Sequence, residues 1–361
     1  MRLQTWAMSS AYLAEPNLVP ILACHIVQGT LVQGVCLESP YGFAALGLVL
    51  NAVGQLEAAY HIGGQARDML ERVGDRAIEP RTLHVLAAHV LLFIDPIADC
   101  VALSKQVARV GLDIGDLEYA AWGLHCEVCN GLYAGVGLDE LLSVAHRNVD
   151  TLRHHQQLTA LGVTEMFLHG VALLRQEEVG EPSLDGPDYD EAERMEAFRA
   201  LNFRGAAFVL ALMGAWVRYL FGDHEGAVAM ADAGAEFADG AVATYHQVWF
   251  HQVRALALLA GATDPEAVEG HQVALAQWAA VGPANHAHRV RLVEGELARV
   301  QGRLDDALQA FAEAAQHAAD QGFLHEEALA HELAARALEG AGRPAGERWE
   351  SARRAYRRWG A

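Results

Sequence analysis

The sequence predicts an all-α protein, an α-solenoid of about eighteen helices arranged as hairpins. Three observations predict it. Apolar residues recur at three- and four-residue spacings, as in Leu304, Ala307, Leu308, Phe311, Ala314 and Ala315. Period-two alternation with β-branched residues is almost absent. Helix breakers fall at short, regular intervals, dividing the chain into about nine hairpins of roughly 40 residues, a spacing that belongs to α-solenoid repeats. With 52% hydrophobic and 20% charged residues among 361, the chain can bury a sizeable core and is not a disordered one.

The elements follow in order. Met1 to Ala14 mixes one Arg, Gln4, Ser9 and Ser10 with apolar residues and does not read as a signal peptide. Asp95-Pro96, Asp264-Pro265 and Gly282-Pro283 read as helix caps followed by a proline in the first turn, where its missing N–H costs no helical bond. Gly115-Asp116 reads as the end of one helix and the N-cap of the next. Residues 176–190 are acidic and contain Pro182 and Pro187, which marks a loop or linker. It divides the chain into an N-terminal half, 1–175, and a C-terminal half, 191–361. Its simplest reading is a solvated excursion; a partner-binding acidic loop is the alternative. Gly205 to Val217 is the most apolar stretch, but thirteen residues fall short of the roughly 20 that span a bilayer. A buried helix is expected there, with no membrane span. Five cysteines in a chain this long do not suggest a disulfide framework, so a soluble, cytoplasmic protein is expected.

Small residues fall where two helices would cross closely. In the frame of a tetratricopeptide (TPR) hairpin, Gly295, Gly302, Ala307, Phe311 and Ala314 all fit. Leu46, Gly47, Gly54, Ala59 and Ala66 fit in part, with Gly63 where an aromatic is expected. Gly222, Ala227 and Gly234 fit in part, with Ala231 in the aromatic position, and the last unit, with Gly342, fits poorly. The reading is a diverged TPR-like array, in which Ala and Gly let backbones approach and no hairpin buries its apolar face alone.

Charge and motifs exclude several functions. Lys+Arg number 26 against 46 Asp+Glu, a net charge of -20, which disfavours a general nucleic-acid binder. Lys105 is the only lysine, and it lies in Leu103-Ser104-Lys105-Gln106, not in a P-loop. Protein-kinase motifs and Gly-x-Ser-x-Gly are absent, and no carboxylate pair stands out as an acid/base couple. Asp305-Asp306 and Glu326-Glu327 read as first-turn residues that complement helix dipoles. No enzyme activity and no cofactor are expected. Cys126-Glu127-Val128-Cys129 is a lone C-x-x-C with His125 beside it and no second pair to complete a zinc site. It lies about ten residues into a helix, so buried cysteines are the plain reading. A metal- or small-molecule-binding enzyme using Cys126, Cys129 and nearby histidines is the alternative. The other histidine pairs are poorly spaced for joint ligation: His84 and His89, His246 and His251, and the divergent neighbours His154-His155.

Several stretches carry a family resemblance: Ala14-Glu15-Pro16-Asn17-Leu18, Gly115-Asp116-Leu117-Glu118-Tyr119-Ala120-Ala121, Tyr219-Leu220-Phe221-Gly222-Asp223, and Ala352 to Ala361, ending Arg-Trp-Gly-Ala. They resemble the helical-repeat region of very large bacterial signalling proteins. Those proteins join a serine/threonine kinase domain, an AAA/STAND-type ATPase, this helical region, a GAF domain and often a histidine kinase. The resemblance covers essentially the whole chain and implies the regulatory middle of such a protein. The partners it implies are the kinase or ATPase modules of the same system. A second implied role is the effector-sensing arm of a STAND-type transcription activator.

Two sets of residues are candidate contacts. If the first helix of each hairpin lines the concave groove, that groove includes His288, Arg291, Leu292, Arg299, His325, His331 and Arg336. The last 19 residues carry six Arg and two Glu, 6 - 2 = +4, leaving -24 elsewhere. Arg353, Arg354, Arg357 and Arg358 would make a basic docking helix. Tyr356 and Trp359, three residues apart, should share a face and pack on the preceding hairpin.

Overall fold

The computed structural model describes residues 1–176, 180–261 and 265–361. Glu177, Glu178 and Val179 of the acidic segment, and Asp264, expected as a cap, lie outside the described residues. Among the described residues there are eighteen α-helices and three short 3-10 turns. In chain order the helices are α1 (Arg2–Ala14), α2 (Leu18–Gln33), α3 (Ser39–Ala52), α4 (Leu56–Val73), α5 (Glu79–His89) and α6 (Ile97–Ile114). There follow α7 (Leu117–Tyr133), α8 (Leu138–His154), α9 (Leu158–Leu174), α10 (Glu191–Ala200), α11 (Arg204–Leu220) and α12 (His224–Ala235). The last six are α13 (Tyr245–Ala260), α14 (Glu269–Val281), α15 (Pro283–Val300), α16 (Leu304–Gln321), α17 (Leu324–Gly340) and α18 (Gly346–Trp359). The protein is all-α, and successive helices pack in pairs.

The helices end with a regular beat. Left-handed residues fall twenty positions apart in four runs, Gly34, Gly54 and Gly74; Gly115 and Gly135; Asn202 and Gly222; Gly302, Gly322 and Gly342, with Gln156, Ala243 and Gly360 off that spacing. Gly, and less readily Asn, enters this conformation without strain, so each of these residues stops a helix. Asp116 then accepts from the Tyr119 N–H as the next N-cap, and Pro283 opens α15 after Gly282, both as expected. Pro96 differs by one place: it is itself the residue before the first turn of α6.

The contacts divide the chain into two compact units. The first comprises Met1–Asn130, Asn148–Gly162 and Val242–Tyr245. Within it α1 packs on α2, α2 on α3, α3 on α4 and α5, and α5 on α6. Small residues set the crossings, as a Cβ added to Gly123 would stand 2.5 Å from the Ala108 nitrogen and one at Gly63 2.8 Å from Val90 Cγ1. The Tyr41 and Tyr119 hydroxyls share a buried hydrogen bond of 2.7 Å.

The second unit comprises Gly131–Arg147, Val163–Ala241 and His246–Ala361. Here α11 pairs with α12, and α14 to α18 pack each on the next. A Cβ on Gly295 would fall 2.5 Å from the Phe311 ring, which is the close crossing the sequence pattern anticipates. Residues 206 to 217 of α11 are all buried, and no helix among the described residues is long and apolar enough to cross a membrane.

The acidic segment is not a solvated excursion where it is described. Leu184 and Tyr189 are buried, and the Tyr189 ring stacks on His169 with centroids 4.2 Å apart. Asp185 accepts from the Glu191 N–H at 2.8 Å, and Glu191 accepts from the Leu184 N–H at 3.0 Å. Asp190 caps α10 through the Glu193 N–H. The two apolar residues among the acids anchor the segment, and residues on both sides of it fall in the second unit.

Candidate functional site

The expected groove is largely closed. His288 and Leu292 on α15 are wholly buried, and His325 on α17 is nearly so. Within the second unit, the turn between α7 and α8 and the end of α18 lie against His325. The His325 ring lies 5.4 Å from Trp359 and 6.4 Å from Trp216. A Cβ on Gly135 would stand 2.9 Å from the Leu324 nitrogen and 3.0 Å from His325 Nδ1. His288, Leu292 and His325 are therefore interior residues of the second unit. The polar members lie nearer solvent. Arg291 pairs with Glu294 at 2.7 Å and Glu313 at 3.0 Å. Arg299 binds Glu296 through two nitrogens and reaches the Leu259 carbonyl at 3.2 Å. Arg336 pairs with Glu332, and His331 is half-buried.

Beneath these residues lies a buried polar network. Arg289, with no exposed surface, donates to Glu326 Oε1 at 2.7 Å and to Gln252 Oε1. Gln252 Nε2 donates in turn to Glu326 Oε2 at 2.7 Å. The three come from α13, α15 and α17, spaced 37 and 37 residues apart, Glu326 lying in the first turn of its helix and the other two near the middle of theirs. Two charges removed from water need this mutual satisfaction to be tolerated. Burial, then the neighbouring Arg289 charge, holds His288 well below the usual imidazole range. Burial pushes His325 down to about 4, against the favourable charge of Glu326. Neither ring nitrogen of His288 has a hydrogen-bond partner among the described residues; its ring lies between His317 and Phe323.

A second cluster surrounds Cys126 in the first unit. Cys126 is the tenth residue of α7, buried like Cys129 one turn later. Its Sγ stands 4.0 Å from Nδ1 of His84 on α5. Trp122, one turn before Cys126, stacks against the His84 ring at 6.3 Å, and Tyr119 and His89 meet that ring edge-on. His89 is held by the Ala243 carbonyl at 3.1 Å and by the Tyr12 ring at 5.2 Å. Burial, then His84, brings His89 down to about 4. A bond from the Cys129 thiol, joined by His84 and His125, holds the Cys126 thiol well below its ordinary range against the effect of burial. Burial raises the Cys129 thiol. The poor His84/His89 spacing does not keep the rings apart, because α5 ends at His89; His154 and His155 likewise approach to 4.9 Å where α8 ends. Among the described residues no group of three or more His, Cys, Asp or Glu side chains is placed to hold a metal ion.

Two surface features complete the picture. Arg353, Arg354, Arg357 and Arg358 are all exposed on α18. Arg353 pairs with Glu350 and Arg358 with Glu327, while Arg354 donates to Ser351. Tyr356 and Trp359 turn inward together, Tyr356 donating to Glu332. At the other end, Leu3, Trp6 and Leu13 of α1 and Leu18, Ile21, Leu31 and Val32 of α2 are exposed, with Val35 after them. Sequence reasoning missed this face because both helices are apolar on the buried side as well.

No protein-family model matches the chain, and no curated protein matches it either.

Proposed function

We propose that this chain is a non-catalytic, TPR-like regulatory region that binds protein partners in a bacterial signal-transduction system, the partners being its kinase or ATPase modules. The exposed apolar face of α1 and α2 carries the reading. Of the sixteen most exposed large apolar side chains among the described residues, eight lie within the first 35 positions. A concentration of this kind marks a protein contact far more often than a solvated surface. That stretch also has only two formal charges, Arg2 and Glu15, in a chain of net charge -20. The twenty-residue beat of left-handed turns supports stacking of hairpins in a solenoid, the architecture in which terminal apolar faces are normally covered. The resemblance to kinase- and ATPase-linked helical regions supplies the class of partner.

The test is calorimetric titration of the purified chain with separately purified kinase and ATPase modules of such a system. Saturable binding is expected, little affected by salt because the contact is apolar. Trp6→Ser with Leu31→Ser should weaken it at least about tenfold, since buried aromatic and aliphatic anchors dominate interfaces. Both side chains are solvent-exposed, so folding should be unaffected. No saturable binding to either module, or unchanged binding by the double variant, would overturn the reading.

A further inference from the structure

We propose that Cys126 is a nucleophilic modification site, with His84 as its proton acceptor and small hydroperoxides as the substrate class. The geometry stands on two helices. On α7, Trp122 and Cys126 are one turn apart and share a face, and Cys129 follows on the next turn. On α5, His84 projects between them, its ring against Trp122 and its Nδ1 at 4.0 Å from the Cys126 sulfur. His84 and Trp122 are half-buried, so they reach the surface, while Cys126 keeps only 5% of its own. That arrangement gives a thiol reached past an imidazole and an indole. A substrate that is small and neutral is the one proposed to pass those two rings.

The ionisable groups facing Cys126 are Tyr12 on α1, His84 and His89 on α5, Cys100 on α6, and His125 and Cys129 on α7. Reactive thiols need a partner that stabilises the thiolate, and here an imidazole and a neighbouring thiol supply it. The Cys126 S–H proton passes to His84 Nδ1, and the sulfur attacks one peroxide oxygen. The O–O bond breaks, and the departing oxygen takes the proton from His84, leaving as water or an alcohol. Cys126 is oxidised to a sulfenic acid and the peroxide is reduced. None of this rests on the partner-binding role proposed above.

The experiment treats the whole chain with hydrogen peroxide and dimedone, and reads each cysteine by mass spectrometry. Cys24 is exposed and Cys36 half-buried, so both serve as internal standards, and Cys100 is the inert buried one. The adduct at Cys126 should form at least about tenfold faster than at Cys24, despite lower exposure. Alkylation by iodoacetamide should reach half its maximal rate below the usual thiol range of about 8.5. His84→Asn should slow Cys126 about tenfold at neutral pH and move that profile upward, with the buried Cys100 still inert as a check on folding. Cys126 labelling no faster than Cys100, or unaffected by His84→Asn, would sink the proposal. Should that variant not fold, a wild-type half-rate pH at or above about 8.5 overturns it alone.

Discussion

Glu326 and Glu327 are neighbours in the first turn of α17, and each has an arginine partner. One residue of helical rotation separates their fates. Glu326 is buried with Arg289, at 2.7 Å, and both side chains are almost without solvent. Glu327 pairs with Arg358 at 3.1 Å across the surface, with more than half of the arginine side chain exposed. The same two functional groups meet in both pairs, yet the consequences differ by several kcal/mol. In water the attraction is weak and competes with side-chain freedom, so such pairs contribute about 0–1 kcal/mol. In the interior the pair barely offsets its own desolvation, but removing one member strands a charge. The buried pair is thus a constraint on which helices can sit together, and the exposed pair is an accessory.

The largest expected effect comes from Glu326→Leu, which leaves Arg289 uncompensated. It should cost about 3–5 kcal/mol in urea unfolding of the second unit, whereas adding Arg289→Met and Gln252→Leu should recover much of that loss. A triple variant as damaged as the single one would break the comparison. Protonation of the interior imidazoles is next. His325 is held near 4 in the folded chain against an ordinary 6.5, so between those values the unfolded chain binds the proton first. Its stabilising contribution is complete above about pH 6.5 and is lost as the pH falls toward 4, by about 3 kcal/mol. His89 should do the same in the first unit. Melting followed from pH 7 to 4 should show the fall, and His325→Asn should flatten part of it; a flat wild-type profile would count against buried neutral imidazoles. The smallest effect belongs to Arg358→Gln, expected to change stability by no more than about 0.5–1 kcal/mol by the same urea measurement. A loss above about 2 kcal/mol would erase the distinction between the two pairs.

Much of the architecture is legible in the residues, and the reason is local. Gly115-Asp116, Gly282-Pro283 and the Gly295–Phe311 crossing depend on neighbours within one hairpin, so their spacing announces them. The anchors of the acidic segment, Leu184 and Tyr189, are two apolar residues standing among acids, whose charge alone points toward solvent. The candidate sites were less legible because distance in sequence defines them. His84 lies 42 residues before Cys126, and the closure of the expected groove depends on Gly135 and Trp359, far from His325. One signal lies in the sequence: Gln252, Arg289 and Glu326 recur at 37-residue intervals.

The seat of the α7–α8 turn also constrains the timing of folding. Stacked hairpins can assemble as they emerge, each on the one before it. The stretch 131–147 cannot finish this way, because Gly135 rests against Leu324 and Gly137 faces the Trp359 carbonyl. At a ribosomal pace of about 5–20 residues per second, roughly 10–40 s pass between synthesis of Gly137 and of Trp359. Through that interval Leu138, buried in the finished protein, lacks the cover that the end of α18 gives it. The last helix is thus the latch that closes over this turn, and the turn must wait for it.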